Sequence, residues 1–220
     1  MKKVLSGIGA IFNLAVFIFG LNSIIWMFKS FPQPEGGLLE YLRYFTVLSN
    51  LLIVAVSLII GTFDLMIALG ARTNYPKWVR ILSLTANVGT TITMLTVVAF
   101  LGPTLGYGFM YGTYNLYMHL ITPLLGLIAY LFFTPYEKKI GFIGCIYCTA
   151  PLFIYGIAYI INVASHNGYG VTRYDWYGFG QWGLVAGIFI FILMLVIDYS
   201  LGVGMNYLQR VICKVLKKKD

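Results

Sequence analysis

The chain has 220 residues, of which 60% are hydrophobic and only 10% charged, and its formal net charge is +8. Soluble domains carry about 25% charged residues, so this composition, with its apolar runs of about 20 residues, argues against a soluble globular domain and for an all-α, polytopic membrane protein. Three cysteines are too few for a disulfide framework, and the basic residues sit where topology determinants sit, so nucleic-acid binding is not needed to explain them.

Hydrophobic runs predict six helices, near residues 5–28, 40–66, 79–102, 114–134, 140–164 and 180–204. The first run, after Lys3, is too long for a signal-peptide core and lacks a small-residue cleavage pattern, so it reads as a mature span. The breaks carry loop chemistry: "FPQPEGG", "ARTNYPK", "GPTLGYG", "TPYEKK" and "SHNGYGVTRYDWYGFG". The expected organisation is one six-helix domain over residues 1–220, closed by a short basic tail at 205–220. Twelve of the fifteen Lys and Arg residues fall at the N-terminus, in the second and fourth loops and in the tail; Lys29, Arg43 and Arg173 fall on the other side. The positive-inside rule then places both termini in the cytoplasm of a cell membrane. The tail is also suited to touch anionic lipid. Tyr107, Tyr111, Trp176 and Tyr177 crowd the outer loops, either as an interfacial aromatic belt or as a rim guiding an amphipathic ligand inward.

Cys145 and Cys148 form a CxxC inside an apolar run, without the further ligands a metal centre needs. "TLGYG", Thr104 to Gly108, follows a complete span and Pro103, which suits an aromatic loop better than an ion filter. Asp64 and Asp198 read as boundary residues near the cytoplasmic ends of their spans, with a buried polar pair as the alternative.

Polar residues inside the spans are not scattered. Arg43, Thr46, Asn50 and Ser57 make one stripe on the second helix. Ser83, Asn87, Thr90 and Thr91 make one on the third, and Asn115, His119, Thr122 and Gly126 one on the fourth. Ser, Thr and Asn at such positions commonly hydrogen-bond between helices. His119 is different, because an ionisable side chain within a span is a functional candidate by default. Counted from the outer ends of their helices, Thr46 and His119 lie at similar depth, and a hydroxyl beside an imidazole is the minimum set for a nucleophile and its base.

At these residues the sequence resembles the androgen-induced-gene and androgen-dependent TFPI-regulating protein family, with its bacterial integral-membrane relatives. "YFTVLSNL", Tyr44 to Leu51, matches the family's first signature, and "NLYMHLITPLLGL", with His119 and Pro123, matches its second. The resemblance implies a multi-span membrane hydrolase of fatty acid esters of hydroxy fatty acids, with Thr46 as nucleophile and His119 in the histidine role. "AYLFFTP" lacks the acidic residue that bacterial relatives often carry there.

The implied substrate is a lipid or fatty-acid ester, and the chemistry calls for no cofactor and no metal. Asn50, Asn87 and Asn115 are candidates for oxyanion donors or supporting contacts; interhelical bonding is the competing reading for Asn50 and Asn87. Other functions fit the same spans: a transporter of small molecules or lipids, a non-catalytic lipid-binding protein, or an acyltransferase passing the same acyl-threonine to an alcohol. A transporter would be expected to show an inverted repeat of interrupted spans, and none is evident.

Overall fold

In a computed structural model the described residues are 2–30, 37–134, 140–167 and 173–217. They form six helices long and apolar enough to cross a membrane, as fits an integral membrane protein: α1 (Lys2–Ser30), α2 (Phe45–Ala68), α3 (Lys77–Leu105), α4 (Tyr114–Phe133), α5 (Phe142–Ser165) and α6 (Leu184–Lys217). No strand occurs among the described residues. The two ends of the bundle differ in chemistry. One gathers Glu40, Tyr44, Tyr114 and Trp176, and the other Lys2, Asn74 and Gln209. They are called the aromatic and basic ends below.

The α1–α2 pair is built on small residues. The buried positions of α1 include Ser6, Gly9, Asn13, Val16, Gly20, Ser23 and Met27, alternating steps of three and four, which keep one seam against a partner helix. A methyl group on Gly20 would lie 2.5 Å from Val54 Cγ2, and one on Gly9 2.8 Å from Asp64 Oδ2, so glycine sets the approach of the two backbones. Asp64 and Asp198, near the ends of their spans, are buried within the protein, 0% and 1% exposed. Asp64 accepts a hydrogen bond from Asn13 Nδ2 at 3.0 Å and another from the Tyr75 hydroxyl, tying α1, α2 and the loop that follows into one polar lock.

α3 is the centre of the bundle, with 61% of its most apolar stretch buried within the protein against 6% for α6. Its polar stripe is satisfied locally in part, with Thr91 Oγ1 and Asn87 Oδ1 buried and unpartnered among the described residues. Asn87 Nδ2 donates to Ser83 O at 2.8 Å and Thr90 Oγ1 to Ala86 O at 3.2 Å. Ser49 Oγ and Thr93 Oγ1, 3.1 Å apart, join α2 to α3.

Two helices contain wide π turns, α3 at Val97–Leu101 and α4 at Tyr117–Ile121 and Ala129–Phe133. Such a turn frees backbone carbonyls, and side chains take them up. Tyr107 OH donates to Val98 O at 2.8 Å. Its ring covers Gly102, where a Cβ would lie 2.1 Å from the ring. "TLGYG" is therefore the folded-back end of α3, turning at Gly106 (φ +91°). Gln209 Nε2 reaches Tyr130 O at 3.0 Å, and Asn206 Nδ2 reaches Ile140 O at 2.9 Å. These last bonds correct the expected tail: 205–217 continues α6, with Asn206 and Gln209 buried against α4 and the start of α5. Lys and Arg favour helix, and no proline interrupts the run. The second helix also starts later than expected, at Phe45, after a separate 3-10 turn, Gly37–Arg43. Cys145 and Cys148 are buried, with Cys148 packed against Gly202 of α6.

Candidate active site

The site begins at the N-terminus of α2. Tyr44 precedes it in an extended conformation (φ −91°, ψ 126°) and supplies no side-chain cap. The cap comes from far along the chain: the Phe45 N–H donates to the Tyr177 hydroxyl at 2.9 Å. Burial pushes the Tyr177 phenol up to about 12, so it stays neutral at physiological pH. Thr46, second residue of the helix, is half-buried, and its hydroxyl makes no hydrogen bond to any described residue. Its carbonyl accepts from Asn50 Nδ2 at 2.8 Å and Ser49 Oγ at 3.1 Å.

His119 lies in the π turn of α4 and is 6% exposed. Its Nδ1 is 2.7 Å from Met110 O. A carbonyl only accepts, so Nδ1 carries the proton and Nε2 of the neutral ring keeps its lone pair. The turn has a local cause. The Thr122 N–H bonds Tyr117 O, five residues back, and Pro123 has no N–H to offer the next carbonyl. Met118 O is thereby left without an in-register donor, and Asn50 Nδ2 of α2 supplies one at 3.1 Å. One amide thus holds both the nucleophile candidate's backbone and the residue beside the base candidate.

Thr46 and His119 line one cavity of about 600 Å³ at the aromatic end, together with Met27, Arg43, Tyr44, Phe109, Met110, Asn115, Met118, Trp176 and Tyr177 among others. That volume lies within the usual range for small-molecule sites, about 300–1,000 Å³. Thr46, Leu101 and Tyr177 also line a second, almost wholly apolar void of about 70 Å³ between α3, α5 and α6, and so form the partition between the two spaces. The roof is the segment Tyr174–Gln181. Tyr159 OH donates to Asp175, which also accepts the Gly180 N–H at 2.9 Å. Trp176 Nε1 donates to Tyr155 OH at 3.0 Å, and Tyr155 OH donates to Arg43 O at 2.6 Å.

The three asparagines separate. Asn115 lines the cavity, its amide donating to Phe109 O at 3.2 Å. Asn50 and Asn87 are not among the lining residues. Asn87 packs at the α3–α4 crossing, where a Cβ on Gly126 would lie 2.8 Å from its Oδ1. Sequence reasoning put Arg43 on the polar stripe and Tyr177 in the aromatic belt or rim, without bringing either to Thr46. The Met110 carbonyl had no side-chain signal at all. Among the described residues no cluster of His, Cys, Asp or Glu could hold a metal.

No protein-family model, curated protein or solved structure matches this chain.

Proposed function

We propose that the protein is an intramembrane hydrolase of lipid esters, with Thr46 as nucleophile and His119 as general base, both termini lying in the cytoplasm. The observation that carries the reading is that Thr46 and His119, from different helices, line one ligand-sized cavity with the basic nitrogen of His119 left free by the Met110 bond. The resemblance of "YFTVLSNL" and "NLYMHLITP" to the threonine-hydrolase family supports it.

Thr46 Oγ1 attacks the ester carbonyl carbon as its proton passes to His119 Nε2. The tetrahedral intermediate collapses, the C–O bond to the alcohol breaks, and His119 returns the proton to the departing oxygen. Water then attacks the acyl-threonine, again giving its proton to Nε2, and the carboxylic acid leaves as Thr46 recovers its hydroxyl proton. Negative charge develops beside the N-terminus of α2, where the helix dipole is favourable. Tyr177, which lines both spaces with Thr46, is a hydroxyl candidate to meet it. A neutral carbonyl orients His119 in place of a carboxylate, so the imidazolium gains less stabilisation than in a triad with an acid.

The test uses full-length protein purified in a neutral detergent and a panel of long-chain esters, with a fluorophosphonate adduct mapped in parallel. General-base catalysis contributes roughly 100- to 10,000-fold, and units acting in one step are not additive. Thr46→Ala, His119→Ala and the double variant should therefore lose similar activity, while Thr46→Ser retains part of it. Full turnover by Thr46→Ala rejects the nucleophile assignment, and no turnover by wild type on any ester rejects the hydrolase reading.

A further inference from the structure

The mouth of the cavity holds a positive charge that its surroundings do not neutralise. Arg43 ends the 3-10 turn before α2 and lines the cavity, its side chain 27% exposed. Its guanidinium carbon lies 5.0 Å from the Tyr44 ring centre and 5.6 Å from that of Trp176. Nη2 donates to Tyr44 OH at 2.9 Å, while Nε is buried with no hydrogen-bond partner among the described residues. The neighbouring carboxylate does not complete the site. Glu40 Oε1 is 3.9 Å from Arg43 Nη1, at the limit of an ion pair, and the same oxygen is 3.2 Å from Nη2 of Arg173. Two guanidinium groups thus share one carboxylate, and the closer contact belongs to the one outside the cavity lining. Asp175, the next acid in the roof, is fully buried and bonded to Tyr159 and Gly180.

A guanidinium whose Nε–H is buried without a partner is costly unless an anion meets it. Its planar fork suits a carboxylate or phosphate. Below it the cavity is lined largely by apolar side chains such as Met27, Val47, Leu101 and Met118. From this we infer that Arg43, braced by Tyr44 and Trp176, is the anchor for the anionic group of a single-chain amphipath whose apolar part fills the cavity toward Met118 and His119. This rests on the proposed function only in taking the same cavity as the substrate site. It makes the ligand an anionic lipid and Arg43 the residue that selects it over a neutral one.

Binding tests this without turnover. Equilibrium binding to detergent-purified full-length protein is measured with radiolabelled palmitate, competed by hexadecyl phosphate, hexadecanol or inorganic phosphate. One charge-assisted hydrogen-bond set corresponds to roughly a ten- to hundredfold preference, so palmitate or hexadecyl phosphate should bind that much more tightly than hexadecanol. Arg43→Gln should bring the ratio to about one. Glu40→Gln removes the competing carboxylate and should tighten anion binding several-fold, a gain that misfolding does not produce. Equal binding of hexadecanol, a preserved ratio in Arg43→Gln, or weaker anion binding in Glu40→Gln overturns the inference. So does displacement of palmitate by inorganic phosphate as effective as that by hexadecyl phosphate, which would make the site one for free anions. Anion preference without ester hydrolysis leaves the anchor standing and removes the hydrolase; hydrolysis without preference does the reverse.

Discussion

Asn50 and Asn87 look equivalent in the sequence, each an asparagine on the polar stripe of a span, and the structure separates them in a way that can be measured. The Asn50 amide makes two bonds, at 2.8 Å to Thr46 O and at 3.1 Å to Met118 O, and the second crosses from α2 to α4. The Asn87 amide donates only within α3, at 2.8 Å to Ser83 O. Both are almost fully buried, at 0% and 6% exposed, so substitution by alanine leaves a cavity of similar origin in each case. The difference lies in the Met118 carbonyl, which Pro123 deprives of its in-register donor. Leaving such a group unpaired costs about 1–3 kcal/mol in general, and interhelical bonds within membranes measure roughly 0.6–2 kcal/mol. Asn50→Ala should therefore be less stable than Asn87→Ala by about 1 kcal/mol, read by unfolding titration in mixed micelles. Because Asn50 holds the backbone on both sides of the proposed dyad, and a misplacement of about 1 Å can cost 100-fold, kcat on a long-chain ester should fall roughly 10- to 100-fold with KM little changed. If Asn87→Ala proves equally destabilising, or Asn50→Ala keeps full kcat, the tethering argument is wrong.

In a Cys213→Ser background, cysteine at Leu105, which is 58% exposed, should react with a membrane-impermeant thiol reagent from outside, and cysteine at Leu69, 75% exposed, should not; the opposite pattern would invert the orientation and the depth assignment with it. Tyr75→Phe removes one of the two side-chain donors to the buried Asp64 carboxylate and should lower stability by about 1–3 kcal/mol in the same titration, while ester turnover per folded molecule is unchanged. Gly102→Ala should displace the Tyr107 ring, since the added carbon would lie 2.1 Å from it; its loss of thermostability should exceed that of Tyr107→Phe, which frees only the Val98 carbonyl.

The six spans were legible because a helix crossing hydrocarbon must be long and apolar, and nothing else in this chain has that pattern. That Thr46 and His119 face one cavity was legible for a related reason: polar residues among apolar ones at helical spacing mark an inward face. What composition could not supply was backbone geometry. The π turn at His119 depends on where Pro123 withholds an N–H, and the partner that fixes the imidazole is a carbonyl, which every residue carries. The end of α6 misled because Lys and Arg after an apolar run mark the edge of a membrane without marking the end of a helix. Arg43 was legible as the outer end of the polar stripe; that Arg173, distant in sequence, takes the same Glu40 oxygen was not.

The length of α6 has a mechanical consequence. Its 34 residues make a rod about 51 Å long at 1.5 Å per residue, against a hydrocarbon core of about 30 Å. No proline divides it. One end carries Arg210 and Lys214, and near the other end Leu184, Gly187, Phe191 and Met194 form a wall of the void beside Thr46. Only 6% of its most apolar stretch is held by the rest of the bundle, while Asn206 and Gln209 pin it to α4 and the start of α5 near the basic end. The rod is therefore longer than the apolar layer it crosses, and the excess must be taken up by tilt or by helix standing beyond the hydrocarbon at the basic end.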